Sequence, residues 1–261
     1  MTLREIRRVR WSDEDRYPFN PDVIQNFKSL TLKAPVTIIA GDNGSGKTTL
    51  LEGIAAAAGS TLISGEHMKF DHSLSPAFEL ADELKLIWSV KTGNGFFFRA
   101  SDFVTYIRSI ANIREEARVT MEEIRKRDPN SLEVLPYART YYELRDLYGE
   151  GLEKRSHGES FLDLFQARFR PDGFYILDEP EAPLSPNRQL TLLAILHDMV
   201  AEGARFLIST HSPILMAYPG ADLYEIQEGE LVNVSFDEVG HVSMTKDFLN
   251  DPERYLRHLF K

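Results

Sequence analysis

The 261-residue sequence has no cysteine, which excludes disulfides, thiolate metal centres and cysteine nucleophiles together. That absence suits a reducing compartment, and a cytoplasmic location is the expectation. No run of about 18 apolar residues occurs, and the opening MTLREIRRVRW lacks the apolar centre of a secretory signal, so no intrinsic membrane segment is expected. A basic excess is missing too. Thirty Lys and Arg face 40 Asp and Glu, a formal net charge of -10, which argues against an overall nucleic-acid-coating surface. Glutamine is absent between Gln25 and Gln166, and there is neither an internal repeat nor a low-complexity segment.

What is present starts with an apolar run, Val36 to Ala40, followed by GDNGSGKTTLL at Gly41 to Leu51. Gly41, Gly44, Gly46, Lys47 and Thr48 fill the phosphate-loop pattern G-x-x-x-x-G-K-[ST], in the strand-to-helix context the pattern requires. Glycines let several backbone N–H groups converge on one anion, and the helix beginning near Gly46 aims the positive end of its dipole there. Gly41, Asp42, Asn43, Gly44, Ser45, Gly46, Lys47, Thr48 and Thr49 are therefore assigned to nucleotide binding. Lys47 is expected to reach the β- and γ-phosphates and the Thr48 hydroxyl to sit on Mg²⁺, which makes ATP and Mg²⁺ the expected ligands.

The rest reads as an α/β chain with a composition of 43% apolar and 27% charged residues, enough for one domain with its own core. Glu5–Trp11 and Phe27–Lys33 read as strands of a small β lobe. Trp11, Tyr17, Phe19 and Phe27 lie between and beside them, available either to stack on a purine or to fill that lobe's core. Leu50, Leu51, Ile54, Ala55 and Ala58 mark a helix closed by Gly59. Residues 60–80 read as a loop in which His67 and His72 are surface residues rather than ligands. Leu84–Val90 and Phe96–Arg99 read as a strand pair joined by Thr92 to Gly95. A helical lobe is expected over about 101–160, interrupted at Asp128 to Asn130 and near Pro136, between core halves 1–100 and 161–261.

Phe174 to Leu177 is an apolar run ending in Asp178 and Glu179, as in a buried strand that delivers acids to the ligand-facing end of a parallel sheet. Asp178 is expected to hold Mg²⁺ and Glu179 to polarise the water attacking the γ-phosphate. Successive strand residues point to opposite faces, so a turn must begin there if both acids serve one site, and Pro180 and Pro183 supply it. Upstream, RSHGES at Arg155 to Ser160 opens an amphipathic helix bearing Phe161, Leu162, Phe165 and Phe169. Downstream, Phe206 to Ser209 leads to Thr210 and His211. Read locally, the serine-glycine segment could bind an anion or cap its helix, and His211 could cap the helix that follows.

The order of phosphate loop, Ser-x-Gly-Glu helix start, Asp-Glu strand, short Ala182 to Asn187 loop and strand-end histidine resembles the ATP-binding-cassette ATPases over nearly the whole chain. It looks closest to small stand-alone bacterial members and is more distantly similar to SMC and recombination-repair heads. The resemblance implies a P-loop NTPase fold of the ABC type, with a small antiparallel β lobe and an inserted helical lobe. It places Ser156, Gly158 and Glu159 in a signature segment that binds the γ-phosphate held by a second subunit. His211 becomes the switch histidine, and the active form an ATP-dependent homodimer. That superfamily usually has a glutamine between phosphate loop and signature. FFFRASDF at Phe96 to Phe103 stands there instead, with Ser101 or Asp102 as substitutes.

The function expected is a soluble ATPase, catalytic residues Glu179, His211 and Lys47, that switches an unidentified partner, protein or nucleic acid. The alternatives are the ATP-binding subunit of a membrane transporter and a repair or defence ATPase. Leu190 to Val200 is expected as a helix, Leu223–Ile226 with Leu231–Phe236 as a hairpin, and Asp251-Pro252 as the cap of a last helix burying Tyr255, Leu256 and Leu259.

Overall fold

The computed structural model describes residues 3–12, 15–148 and 157–260. The chain begins with β1 (Leu3–Arg8), the short α1 (Asp22–Asn26), β2 (Ser29–Thr31), β3 (Val36–Ala40) and α2 (Lys47–Ala58). β4 (Thr61–Leu62), α3 (Ser75–Ala81), β5 (Leu84–Trp88) and β6 (Phe96–Arg99) follow. Three helices come next: α4 (Ala100–Arg127), α5 (Leu135–Tyr148) and α6 (His157–Arg168). The remainder is β7 (Phe174–Asp178), α7 (Pro186–Ala201), β8 (Arg205–Ser209), α8 (Pro213–Met216), β9 (Asp222–Gln227), β10 (Glu230–Asn233), α9 (Gly240–Asn250) and α10 (Pro252–Leu259).

A seven-stranded sheet runs in the order β10-β9-β3-β8-β7-β6-β4, parallel throughout except for the β9–β10 edge hairpin. Its central strands are apolar without alternation because both faces are covered. On one face Ile38, Phe96, Phe98, Tyr175, Leu177, Phe206 and Ile208 pack with Phe161 and Phe165 of α6. On the other, Ile39, Phe97, Ile176 and Leu207 pack with Leu50, Leu51 and Ile54 of α2. The run Phe96-Phe97-Phe98 thus serves two cores by simple alternation. Each fully buried large apolar side chain contributes about 1.5–3 kcal/mol, so these two layers are the main hold on the strand ends that build the site.

A separate three-stranded antiparallel sheet, β2-β1-β5, forms the small lobe. Here the expected Leu84–Val90/Phe96–Arg99 pair is corrected. β5 pairs with β1, whereas β6 enters the large sheet between β7 and β4, parallel to both. The turn residues Thr92 to Gly95 carry the chain between sheets, and a Cβ on Gly95 would fall 1.9 Å from the Phe174 carbonyl oxygen. Glycine is needed there for close approach, which a turn-propensity argument mistakes for a hairpin signal.

Other expectations shift less. β1 ends at Arg8 rather than Trp11, and residues 60–80 contain β4, two short 3₁₀ turns and the start of α3. α3 packs closely on α2, where a Cβ on Gly53 would meet Leu80 at 2.5 Å. Pro136 does not interrupt a helix; it sits in the first turn of α5, where its missing N–H costs nothing. Asp251 does cap α10, accepting from the Arg254 N–H at 3.1 Å, but Leu259 is 72% exposed rather than buried. Among the described residues no helix is long and apolar enough to cross a membrane.

Candidate functional site

Four neighbouring parallel strands, β3, β8, β7 and β6, end on the same side of the sheet, and their C-terminal residues build the site. The loop after β3 turns through Gly41, Gly44 and Gly46, all at positive φ. Gly46 is the strictest position. Its φ is 91°, and a Cβ there would lie 2.6 Å from Val23 Cγ1 and 3.0 Å from Pro21 Cβ. α1 and the residue before it therefore brace the loop from below. Lys47 is buried and folds back, its Nζ donating to the carbonyls of Gly41 at 2.8 Å and Asp42 at 2.9 Å. Burial holds its pKa below the ordinary lysine value, against the raising influence of Glu179 and Asp178.

Asp178 closes β7 and is buried. One of its oxygens accepts from the Thr48 hydroxyl at 2.8 Å and the other from the Ser209 hydroxyl. Burial pushes its pKa up, and those two hydrogen bonds pull the other way. Thr48 and Asp178 offer hard oxygen donors side by side, the set that suits Mg²⁺. Ser45 Oγ, inside the loop, is buried with no hydrogen-bond partner among the described residues, as expected of a donor awaiting an anionic oxygen. Donor chemistry and the orphaned hydroxyl together fit a magnesium-bound phosphate group.

Glu179 leaves the strand at φ 50°, a left-handed conformation that a non-glycine residue adopts at a cost of about 1–3 kcal/mol. Its N–H donates to the Ser209 carbonyl at 3.0 Å, and the expected turn follows over Pro180 to Pro183. The carboxylate then lies 3.3 Å from Nε2 of His211, the residue that follows β8 and Thr210. Burial, then Lys47, pushes the His211 pKa down, while Glu179 raises it. Glu181 sets the histidine's backbone: its Oε1 accepts from the His211 N–H at 2.7 Å. Burial raises the Glu181 pKa.

A family model described as an AAA domain matches residues 19–167, more than half of the chain. The chain belongs to this AAA-domain family and is an ABC-type ATPase. Its fold class is the P-loop NTPase α/β type, with the parallel sheet described above. A putative ABC transporter ATP-binding protein of Methanothermobacter marburgensis is 25% identical over 239 residues, covering 89% of this chain and 79% of the relative. The energy-coupling factor transporter ATP-binding protein EcfA of Methanococcus maripaludis is 24% identical over 240 residues, covering 89% and 78%. The SMC head domain from Thermotoga maritima overlays with a TM-score of 0.45 at 16% identity, covering 90% of this chain and all of that one.

The ABC-type ATPase places the remaining candidate residues unevenly. Asp42, Asn43 and Gly44 are exposed on the loop, whereas Thr49 is buried beneath it. Ser156 lies outside the described residues; Gly158 and Glu159 lie in the first turn of α6, whose Phe161, Leu164 and Phe165 are fully buried. Of the aromatics, Phe19 and Phe27 fill the small-lobe core, Trp11 lies against the Arg8 guanidinium, and the Tyr17 hydroxyl donates to Glu52 of α2 at 3.2 Å. His67 caps a 3₁₀ turn, accepting from the Lys69 N–H, and among the described residues no cluster of His, Asp and Glu suits a metal ion.

The Ser101 hydroxyl donates to Asp102 at 3.1 Å, and Asp102 in turn meets a residue that sequence reasoning passed over. Arg99, the register partner of Asp178 on β6, donates to Asp102 at 2.7 Å, Asp71 at 2.9 Å and Glu52 at 3.0 Å. One guanidinium therefore ties the phosphate-loop helix α2 to the start of α4. Glu181 and His241, the latter 3.3 Å from Asp42, were passed over as well. A charged residue closing the FFF run was the one available signal for Arg99.

A methyl group at position 46 tests the cradle directly. Gly46→Ala adds a strained φ and a contact with Val23, together about 1–3 kcal/mol, and is expected to weaken ADP binding about 10- to 100-fold by titration calorimetry. Affinity within twofold of wild type would show that the loop does not need this conformation.

Proposed function

We propose that the chain binds Mg²⁺–ATP in the phosphate loop and hydrolyses it, and that two ATP-bound copies close over two shared nucleotides and part after hydrolysis. On this reading residues 1–261 act as one ATPase unit, with about 101–160 as a helical lobe on a core of 1–100 and 161–261. The insertion of α4 to α6 between the adjacent parallel strands β6 and β7 supports that division. Family membership supports ATP hydrolysis in general. The observation that carries the finer reading is the convergence of Lys47, Thr48, Asp178, Glu179 and His211 from three strand ends on one point.

Each side chain has a distinct task. Lys47 exchanges its two carbonyl contacts for phosphate oxygens, which its buried charge favours. Thr48 and Asp178 would hold Mg²⁺, which supplies positive charge to the phosphate oxygens when bound. Glu179 orients and polarises the attacking water, and His211, held by Glu181 and Glu179, faces the terminal phosphate. The signature segment Ser156, Gly158 and Glu159 meets the phosphate held by the second copy. Closure of this kind makes the protein a switch for a partner, protein or nucleic acid.

Size-exclusion chromatography of Glu179→Gln with and without Mg²⁺–ATP tests the sandwich. A shift to twice the monomer mass only with ATP is expected; a monomer under both conditions would remove two-copy closure. The alternative, the ATP-binding subunit of a membrane transporter, is favoured by the chain's similarity to ATP-binding proteins of transporters. Co-purification with a membrane-spanning permease would move the assignment there.

A further inference from the structure

Next to the residues already assigned lies an imidazole that no motif covers. His241 opens α9, and its Nε2 lies 3.3 Å from Asp42 Oδ1 in the phosphate loop. Its ring stands 5.1 Å from that of His211, centroid to centroid, tilted by 37°. His211 in turn has its Nε2 3.3 Å from Glu179. Two imidazoles thus run side by side between two carboxylates, with Lys47 hydrogen-bonded to the carbonyl of Asp42 itself.

The placement is built rather than incidental. Val239 and Val242, on either side of His241, are fully buried in the main core. The Gly240 N–H donates to Glu225 Oε1 at 2.9 Å, and Glu225 is the register partner of Ala40, the last residue before the phosphate loop. The start of α9 is therefore fixed to the same strand end from which the loop departs. His241 itself is about one-third exposed, so core burial does not account for its position.

We propose that His241 is a positioning residue of the nucleotide site. It braces the His211 ring against Glu179 and engages the Asp42 carboxylate, drawing that charge away from the terminal phosphate. The need is electrostatic. Glu179, Asp178, Asp42 and Glu181 all lie within electrostatic range of Lys47, the cation of the loop. ATP carries one more negative phosphate than ADP, so a carboxylate on the loop repels it more. The role is thus selective for the triphosphate, and it rests on the ATPase reading above.

The test uses the full chain, ATP and ADP. His241→Ala is expected to weaken ATP binding about tenfold and ADP binding less than twofold by calorimetry. His241→Gln, which keeps a donor for Asp42 but loses the ring, should recover most of the ATP affinity. In nucleotide-free protein, the His211 ring signals in heteronuclear NMR should split or broaden in both variants as the unbraced ring samples more than one orientation, a change beyond the uniform shift that removing a neighbouring ring causes. An unchanged ATP-to-ADP affinity ratio in His241→Ala, or His211 signals that neither split nor broaden in either variant, would overturn the proposal. Should wild type bind neither nucleotide, the ATPase reading is what fails, and the ring signals alone decide the brace.

Discussion

Glu179→Gln is expected to lower ATP turnover about 100- to 10,000-fold while ATP stays bound. The amide preserves the shape of the side chain and the backbone preferences that matter at φ 50°, so the left-handed turn after Asp178 is not further strained. What the variant loses is the anionic oxygen that lies 3.3 Å from His211 Nε2 and would draw a proton from water. Binding survives because Lys47, Thr48 and Asp178 are untouched, and one negative charge near the γ-phosphate disappears. Single-turnover hydrolysis and retained radiolabelled ATP separate the two effects. Turnover within a few-fold of wild type would take the base role from Glu179; loss of ATP along with turnover would mean the side chain shapes the pocket instead.

The parts of this site that were legible in the sequence are those in which chemistry and local backbone coincide. Gly41 to Thr49 declares itself because a phosphate cradle needs glycines, a lysine and a hydroxyl within nine consecutive residues. Asp178 and Glu179 are legible because an apolar strand must end somewhere, and acids at that end face the ligand. Arg99 and His241 were not legible, since their partners are distant in the chain: Glu52 and Asp71 for the arginine, Asp42 and His211 for the histidine. The same blindness misassigned β5 and β6. Gly93 and Gly95 carry turn chemistry, but the sheet each strand joins is decided by what its side chains bury: Phe96, Phe97 and Phe98 are buried across both faces of the large sheet, whereas Leu84, Leu86 and Trp88 are only half-buried.

Arg8→Met is expected to destabilise the fold by about 3–5 kcal/mol, the cost of leaving a buried carboxylate unpaired. The pair is Arg8 and Glu83, whose side chains are 2% and 3% exposed and which meet at 2.6 Å. The network around it is closed: Arg8 Nη1 donates to the Ile24 carbonyl, its Nε to the Arg10 carbonyl, and the Ser12 hydroxyl to the other Glu83 oxygen at 2.6 Å. Those bonds clamp β1 and the residue preceding β5 onto α1, and α1 with Pro21 is what supports Gly46. Stability of the small lobe and shape of the phosphate loop are therefore linked through one guanidinium. Urea unfolding should show the loss, and nucleotide affinity should fall further than for a surface substitution of equal cost. Arg8→Met combined with Glu83→Leu should regain much of the stability, because an apolar pair needs no partner charge. A single-variant loss below about 1 kcal/mol would place the Arg8–Glu83 pair with solvent-exposed ion pairs and break the proposed link to the loop.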